Sequence, residues 1–217
     1  AVPATSRRST GRTRVLPAPL GYRPAAACGL PATSHTTVEL FAGCGAESIA
    51  TQHYGFRVLA LAEDKASKQR CLAVLFPGAK VLDDALDFSA DAASATGAAD
   101  YVYGGIPCQL VAPNGQQLGL SDPRAALTVL ALPRAAKLLG VTAADAENHA
   151  ELAELRGGEV LNALAANFAP EYVLVDVTHI NVADSHAPEM RNRVCVRFER
   201  ADMAARPLVS GRARSRA

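Results

Sequence analysis

The sequence predicts an α/β fold of the Rossmann-like, nucleotide-binding kind, a mostly parallel sheet with helices on both faces. Three observations lead there. Apolar runs at residues 37–41, 57–62, 80–82 and 101–103 have the length and the β-branched or aromatic content of buried strands. Stretches suited to helices, 47–53 and 66–75, alternate with the first of them. Each run also closes on glycine or acid: Gly43-Cys44-Gly45, Glu63-Asp64, Asp83-Asp84 and Gly104-Gly105. That regularity implies one ligand-binding edge.

Composition bounds the reading. With 217 residues, 49% of them hydrophobic, the chain suits one domain with a real core. Its apolar segments are short and broken by charge, so no membrane partner is expected. The five cysteines (Cys28, Cys44, Cys71, Cys108, Cys195) are odd in number and form no C-x-x-C pair. This implies a reducing, intracellular setting (nucleus or organelle in a eukaryote, cytoplasm in a bacterium), with no disulfide framework and no metal. Residues 1–38 carry five Arg and no acid, and residues 206–217 four more Arg and no acid. Residues 39–205 therefore hold 13 Lys+Arg against all 21 Asp+Glu, a balance of −8. An acidic body is poorly equipped to hold nucleic acid by phosphate contacts alone.

Residues 1–36 are Pro-, Ser- and Arg-rich and read as a disordered basic tail or a transit-like segment. Residues 37–200 form the expected folded domain, and residues 201–217 a second disordered, Arg-rich tail. The first strand, Thr37-Val38-Glu39-Leu40-Phe41, runs through Ala42-Gly43-Cys44-Gly45-Ala46 into a helix. Such a loop brings backbone close to a ligand and offers helix N-terminal amides, although many glycine loops are plain turns. The second strand ends in Glu63-Asp64, where a Rossmann-like fold grips ribose hydroxyls; a helix cap is the plainer use, better suited to Asp64. After the third strand comes Asp83-Asp84. The helix expected over 125–139 contains Pro133, which should kink or shorten it.

The fourth strand breaks at Gly104-Gly105 and sets Cys108 between Pro107 and Gln109. This is a strand end presenting a thiol, against the alternative of a buried structural cysteine. Residues 140–146, with Asp145 among alanines, make a poor central strand. Glu147, Glu151 and Glu154 recur at helical spacing, so Glu147 also reads as a solvated acid at a helix start. Residues 159–167 read as a helix and 171–177 as a strand. Arg191 and Arg193 share one face of an extended segment and could address one ligand or form surface ion pairs.

With these parts in order, the chain resembles the cytosine-5 DNA methyltransferases over residues 38–198. Gly104-Gly105-Ile106-Pro107-Cys108-Gln109, then Gly115, resembles their catalytic loop (Gly-Gly-Pro-Pro-Cys-Gln, an aromatic, Ser, then Gly), departing at Ile106 and at Val111-Ala112. Val38 to Ala46 is similar to their cofactor loop (Asp-Leu-Phe-x-Gly-x-Gly-Gly), with Ala46 for the last glycine. Residues 116–124, ending Asp122-Pro123-Arg124, resemble the mobile active-site loop. Glu147-Asn148-His149 resembles Glu-Asn-Val, and residues 181–198 resemble the segment ending Gln-x-Arg-x-Arg-Val-Phe, with Glu189 for the glutamine.

The resemblance implies a Rossmann-like S-adenosylmethionine methyltransferase fold. It implies that Phe41, Gly43, Cys44, Gly45, Glu63 (ribose) and Asp84 (adenine) bind S-adenosylmethionine. It further implies that Cys108 is the nucleophile, with Glu147, Arg191 and Arg193 completing the catalytic set on a cytosine flipped from DNA. The family's target-recognition domain and closing segment have no counterpart here, so the fold is expected to be incomplete at the C-terminus and a second chain to supply recognition. Three rivals stay open: an impaired or partner-dependent remnant, a tRNA cytosine-5 methyltransferase, and a dehydrogenase, the last disfavoured by Ser48 where a third glycine would stand.

Overall fold

A computed structural model of the chain describes residues 35–112, 117–181 and 191–204. Its strands are β1 (Thr36–Leu40), β2 (Arg57–Ala62), β3 (Lys80–Leu82), β4 (Tyr101–Gly105), β5 (Ala143–His149), β6 (Tyr172–Asn181) and β7 (Asn192–Arg200). The main helices are α1 (Ala46–His53), α2 (Ala66–Leu75), α3 (Ala90–Thr96), α4 (Ala125–Leu139), α5 (Glu151–Glu154), α6 (Glu159–Phe168) and α7 (Ala201–Ala204). The strands form one sheet in the order β3-β2-β1-β4-β5-β7-β6. The pairs from β3 to β5 are parallel, and β7 runs antiparallel between β5 and β6. Successive strands are added to one side of β1 as β2 and β3 and then to its other side as β4 and β5, which makes β1 the switch point where open α/β sheets bind ligands. The two tails and the positions Gly115, Gln116 and Glu189 lie outside the described residues.

Side-chain alternation sorts the sheet into two faces. One face carries Val38, Leu40, Val102, Ala144, Ala146, Val194, Val196 and Phe198, packed with Leu132, Ala135 and Ala136 of α4 and Leu161, Leu164 and Phe168 of α6. Phe168 stacks on Phe198 with ring centroids 4.0 Å apart. Each such buried ring or branched side chain contributes roughly 1.5–3 kcal/mol. Val58, Leu61, Leu72 and Phe76 form a smaller cluster, joined by Ile49, on the side covered by α1 and α2.

Two sequence expectations need correction. Residues 143–149 form a full central strand between β4 and β7. Its alanines are small enough to pack against the likewise alanine-rich α4, and Asp145 on the opposite face accepts a hydrogen bond from Tyr101 and lies 3.6 Å from Arg197. Glu147 is therefore a strand residue, not the start of a helix. Pro133, buried in the packed face, does not shorten α4, which runs the full 15 residues.

Candidate active site

The carboxyl end of β4 sets the geometry. Gly104 lies against β1, where an added Cβ would stand 3.0 Å from the Leu40 carbonyl oxygen, so a side chain there would push the two strands apart. The chain then turns through Pro107 into a single 3₁₀ turn, Cys108–Leu110, with Val111 and Ala112 N–H donating to the Cys108 carbonyl. Cys108 is exposed. The alternative of a buried structural cysteine is thereby set aside.

The neighbouring strand end is tied to this turn. Ile106 N–H donates to the Glu147 carbonyl (3.1 Å), and the buried Asn148 donates from Nδ2 to the Ile106 carbonyl (3.0 Å). The Asn148 Oδ1 in turn accepts from His149 N–H. A buried amide satisfied on both sides fixes its surroundings, so the spacing of the Cys108 turn and the Glu147 carboxyl is built into the backbone.

Glu147 projects from the face of β5 opposite the main core, and Arg193 Nε lies 2.8 Å from its Oε1. The pair is formed diagonally, since β5 and β7 align Glu147 with Cys195 and His149 with Arg193. Burial pushes the Glu147 carboxyl above the usual carboxylate range; Arg193 pulls it down, Glu47 pushes it up and Arg191 pulls it down, in that order of weight. Arg191, exposed, borders the same cleft.

At the other end of the cleft, Glu63 closes β2 with its side chain buried. Its carboxylate accepts from Gly43 N–H (2.9 Å) and Lys65 N–H (3.1 Å), with Lys68 Nζ at 3.4 Å. The acid thus grips the glycine loop directly. Phe41, at the tip of β1, holds a left-handed backbone (φ 56°), an uncommon and strained state for an aromatic residue. Asp84 accepts from Leu86 N–H (2.9 Å), capping the turn that follows β3. Gly45 takes a left-handed conformation as the residue before α1; a Cβ there would meet Phe76 at 2.5 Å and Leu72 at 2.9 Å.

One cleft of about 500 Å³ joins these groups. Phe41, Glu63, Asp84, Cys108, Glu147, Arg191 and Arg193 all line it. Gly43, Cys44 and Gly45 do not; they form the turn behind Phe41, and Gly43 acts through its hydrogen bond to Glu63. Lys68, Arg124, Asn148 and His149 also line the cleft. Lys68 carried no signal in the sequence beyond its place one turn into α2. Arg124 bonds Asp122 through Nε and Nη2, and with the Arg124 backbone N–H holds that carboxyl down at about 2. Glu39 was also missed: a buried acid inside β1, accepting from Ser48 N–H and Tyr103 O–H. A charge in an otherwise apolar strand was its only mark. Among the described residues no cluster of His, Cys, Asp or Glu could hold a metal, and no helix is long and apolar enough to cross a membrane.

Comparison with known proteins gives a consistent answer. The family model for C-5 cytosine-specific DNA methylase matches residues 35–210. A type II methyltransferase, M.PspPI of Psychrobacter sp. (strain TA137), is 34% identical over 132 residues, 61% of this chain and 31% of that protein. Among solved structures, an E. coli prophage-encoded DNA modification methyltransferase aligns with TM-score 0.66 at 20% identity, covering 79% of this chain and 48% of that one. The Entamoeba histolytica methyltransferase EhMeth aligns with TM-score 0.59 at 18% identity, covering 77% and 53%. These structural likenesses carry the fold. The chain spans about a third of the length of the curated relative and about half that of the solved ones. On the family match, over most of its length, the chain belongs to the C-5 cytosine-specific DNA methylase family.

Proposed function

We propose that this chain carries the catalytic machinery that transfers a methyl group from S-adenosylmethionine to carbon 5 of cytosine in DNA. The observation that supports this most is the Glu147–Arg193 pair facing the cleft that Cys108 borders. A thiol, a carboxyl whose proton affinity burial raises and a guanidinium are the three groups that the chemistry of an electron-poor pyrimidine requires. The cleft is large enough for a nucleoside-sized donor beside one base. Phe41, Glu63 and Asp84 would hold S-adenosylmethionine, with a buried acid at the tip of β2 suited to two ribose hydroxyls. When bound, that cofactor supplies an electrophilic sulfonium methyl.

The residues of the chain account for the rest. The Cys108 thiolate adds to carbon 6 of cytosine, forming a C–S bond while the ring electrons move toward carbon 5 and ring nitrogen 3. Glu147, with its raised affinity for a proton, donates a hydrogen bond to nitrogen 3 and stabilises the charge gathering there. Arg193, positioned by Glu147, faces the exocyclic oxygen, with Arg191 adding positive charge. Carbon 5 takes the methyl group and then gives its proton to solvent water; the C–H electrons re-form the carbon 5–carbon 6 double bond as the C–S bond breaks to return the thiolate. The base must leave the duplex, because carbon 6 is otherwise stacked.

A second reading has support from charge. The −8 balance of residues 39–205 disfavours unaided DNA binding, so a cofactor-binding domain that does not turn over alone is the competitor. Incubating the purified chain with tritiated S-adenosylmethionine and either cytosine-containing duplex DNA or tRNA decides. Label at carbon 5 of DNA supports the proposal. Label in tRNA alone overturns the substrate, and cofactor binding without label favours the competitor.

A further inference from the structure

Between α5 and α6 the backbone of Arg156 is left-handed (φ 49°, ψ 43°), a state that costs an arginine about 1–3 kcal/mol. From there its guanidinium reaches the segment that follows the Cys108 turn. Nη1 donates to the Leu118 carbonyl (2.8 Å) and Nη2 to the Gln117 carbonyl (3.2 Å). Nη1 also lies 3.0 Å from Glu159 Oε1, which accepts from Leu120 N–H (3.2 Å). Gly119, left-handed at φ 54°, fits between them, because an added Cβ would collide with the Glu159 carboxylate. One ion pair thus holds both sides of the Gly119 turn.

The segment held in this way is tied to the nucleophile. Gln117 Nε2 donates to the Val111 carbonyl (3.3 Å), and Val111 N–H donates to the Cys108 carbonyl (3.0 Å). A chain of hydrogen bonds therefore runs from Arg156 through Gln117 and Val111 to Cys108. Backbone strain follows the same line. Among the described residues, the non-glycine positions with left-handed backbone are Phe41, Gln117 and Arg156. The first lines the cleft, and the other two meet at this contact. A partly exposed Arg–Glu pair contributes little to stability by itself, so the pair does not account for the strain it sits on. Neither Arg156 nor Glu159 lines the cleft, so neither touches substrate.

We propose that Arg156 is a positioning residue for methyl transfer: with Glu159 it fixes the Gln117–Leu120 segment, and through Gln117 and Val111 it sets the orientation of the Cys108 turn. The inference rests on the nucleophilic role proposed for Cys108. Two neighbouring carbonyls and a carboxylate are met by one planar fork with donors in fixed directions, which a lysine ammonium does not reproduce. Losing the fork frees the segment to shift, and a thiol displaced by a fraction of its attack distance adds to carbon 6 more slowly. The effect falls on the chemical step. The cofactor edge, built on β1 and β2, is left as it was.

The test compares the full chain with Arg156→Gly, which relieves the left-handed backbone as it removes the fork, and with Arg156→Lys, which keeps the charge. Three quantities are read: kcat for methyl transfer to cytosine-containing duplex DNA, calorimetric binding of S-adenosylhomocysteine, and NMR-detected amide exchange at Val111 and Ala112, the two donors to the Cys108 carbonyl. In both variants kcat should fall about tenfold while S-adenosylhomocysteine binding stays within about twofold. Exchange at Val111 and Ala112 should quicken about fivefold or more, and the urea midpoint of Arg156→Gly should stay close to the parent's. Unchanged exchange at both amides overturns the proposal. So does a parallel loss of kcat, cofactor binding and urea midpoint, which would make Arg156 a support of the whole fold. Full kcat in Arg156→Lys would overturn the role of the fork. If the parent transfers no methyl group, the reading of Cys108 fails instead, and amide exchange still decides whether Arg156 holds the turn.

Discussion

Arg193 Nε lies 2.8 Å from Glu147 Oε1, across two antiparallel strands whose register sets the residues diagonally rather than opposite each other. Position 147 is held by a central strand and position 193 by its neighbour, so the pair is part of the sheet and not a chance surface contact. Its Arg side is mostly covered, with 19% of the side chain exposed against 32% for Glu147. Burial and the guanidinium pull the carboxyl in opposite directions, and burial prevails.

Removing Arg193 should therefore raise the affinity of Glu147 for protons further, because the largest opposing influence disappears. In Arg193→Ala the carboxyl should titrate at higher pH than in the parent, read by carbon-13 NMR of labelled glutamate and assigned with Glu147→Gln. Methyl transfer should fall about 10²–10³-fold, as when one preorganised charge-stabilising donor is removed. A downward shift would mean that the pair is not what tunes Glu147.

Glu39 predicts a pH dependence of stability. Burial is the main cause that pushes its carboxyl from 4.5 up to about 8, eased by the Ser48 hydrogen bond and reinforced by Glu47. The folded chain thus keeps a proton that the unfolded chain releases near 4.5. The stability this contributes is fully present below 4.5 and is lost as pH rises toward 8, by at most about 1.4 kcal/mol per unit. Urea midpoints between pH 5 and 8 should fall for the parent more steeply than for Glu39→Gln. Parallel profiles would refute the assignment.

Gly45→Ala places a methyl group on a left-handed residue and against Phe76. Strain and overpacking should together cost about 2–4 kcal/mol. Urea unfolding checks this, and a loss below 1 kcal/mol would show that α2 can move away from the turn.

Asn148→Ala leaves the Ile106 carbonyl without its side-chain donor and opens a small void beneath the Cys108 turn. Loss of about 1–3 kcal/mol is expected for a buried partner left unsatisfied. Methyl transfer should fall while S-adenosylhomocysteine binding changes little, because the cofactor edge is built on β1 and β2. Equal loss of both would place Asn148 in global stability alone.

Strand content and the binding edge were legible because they are local. Apolar runs closing on glycine or acid identify β1 to β4 from neighbours in sequence, and the Cys108 turn carries its own Gly-Gly and Pro. Strand β5 was misjudged because its stability is tertiary. Alanines with weak strand preference are held by close packing against α4, and Asp145 by Tyr101 and Arg197, from positions 44 residues before and 52 after it. Glu39 escaped notice for the same reason, since its partners Ser48 and Tyr103 come from α1 and β4.

The nucleophile can be tested directly with duplex DNA containing 5-fluorocytosine. Fluorine at carbon 5 cannot leave as a proton does, so the C–S bond formed with carbon 6 cannot break after methyl transfer. In the presence of S-adenosylmethionine, a denaturation-resistant protein–DNA adduct should form, map to Cys108 after digestion, and be absent in Cys108→Ser. An adduct at another residue, or persistence of the adduct in Cys108→Ser, would contradict the role given to this thiol.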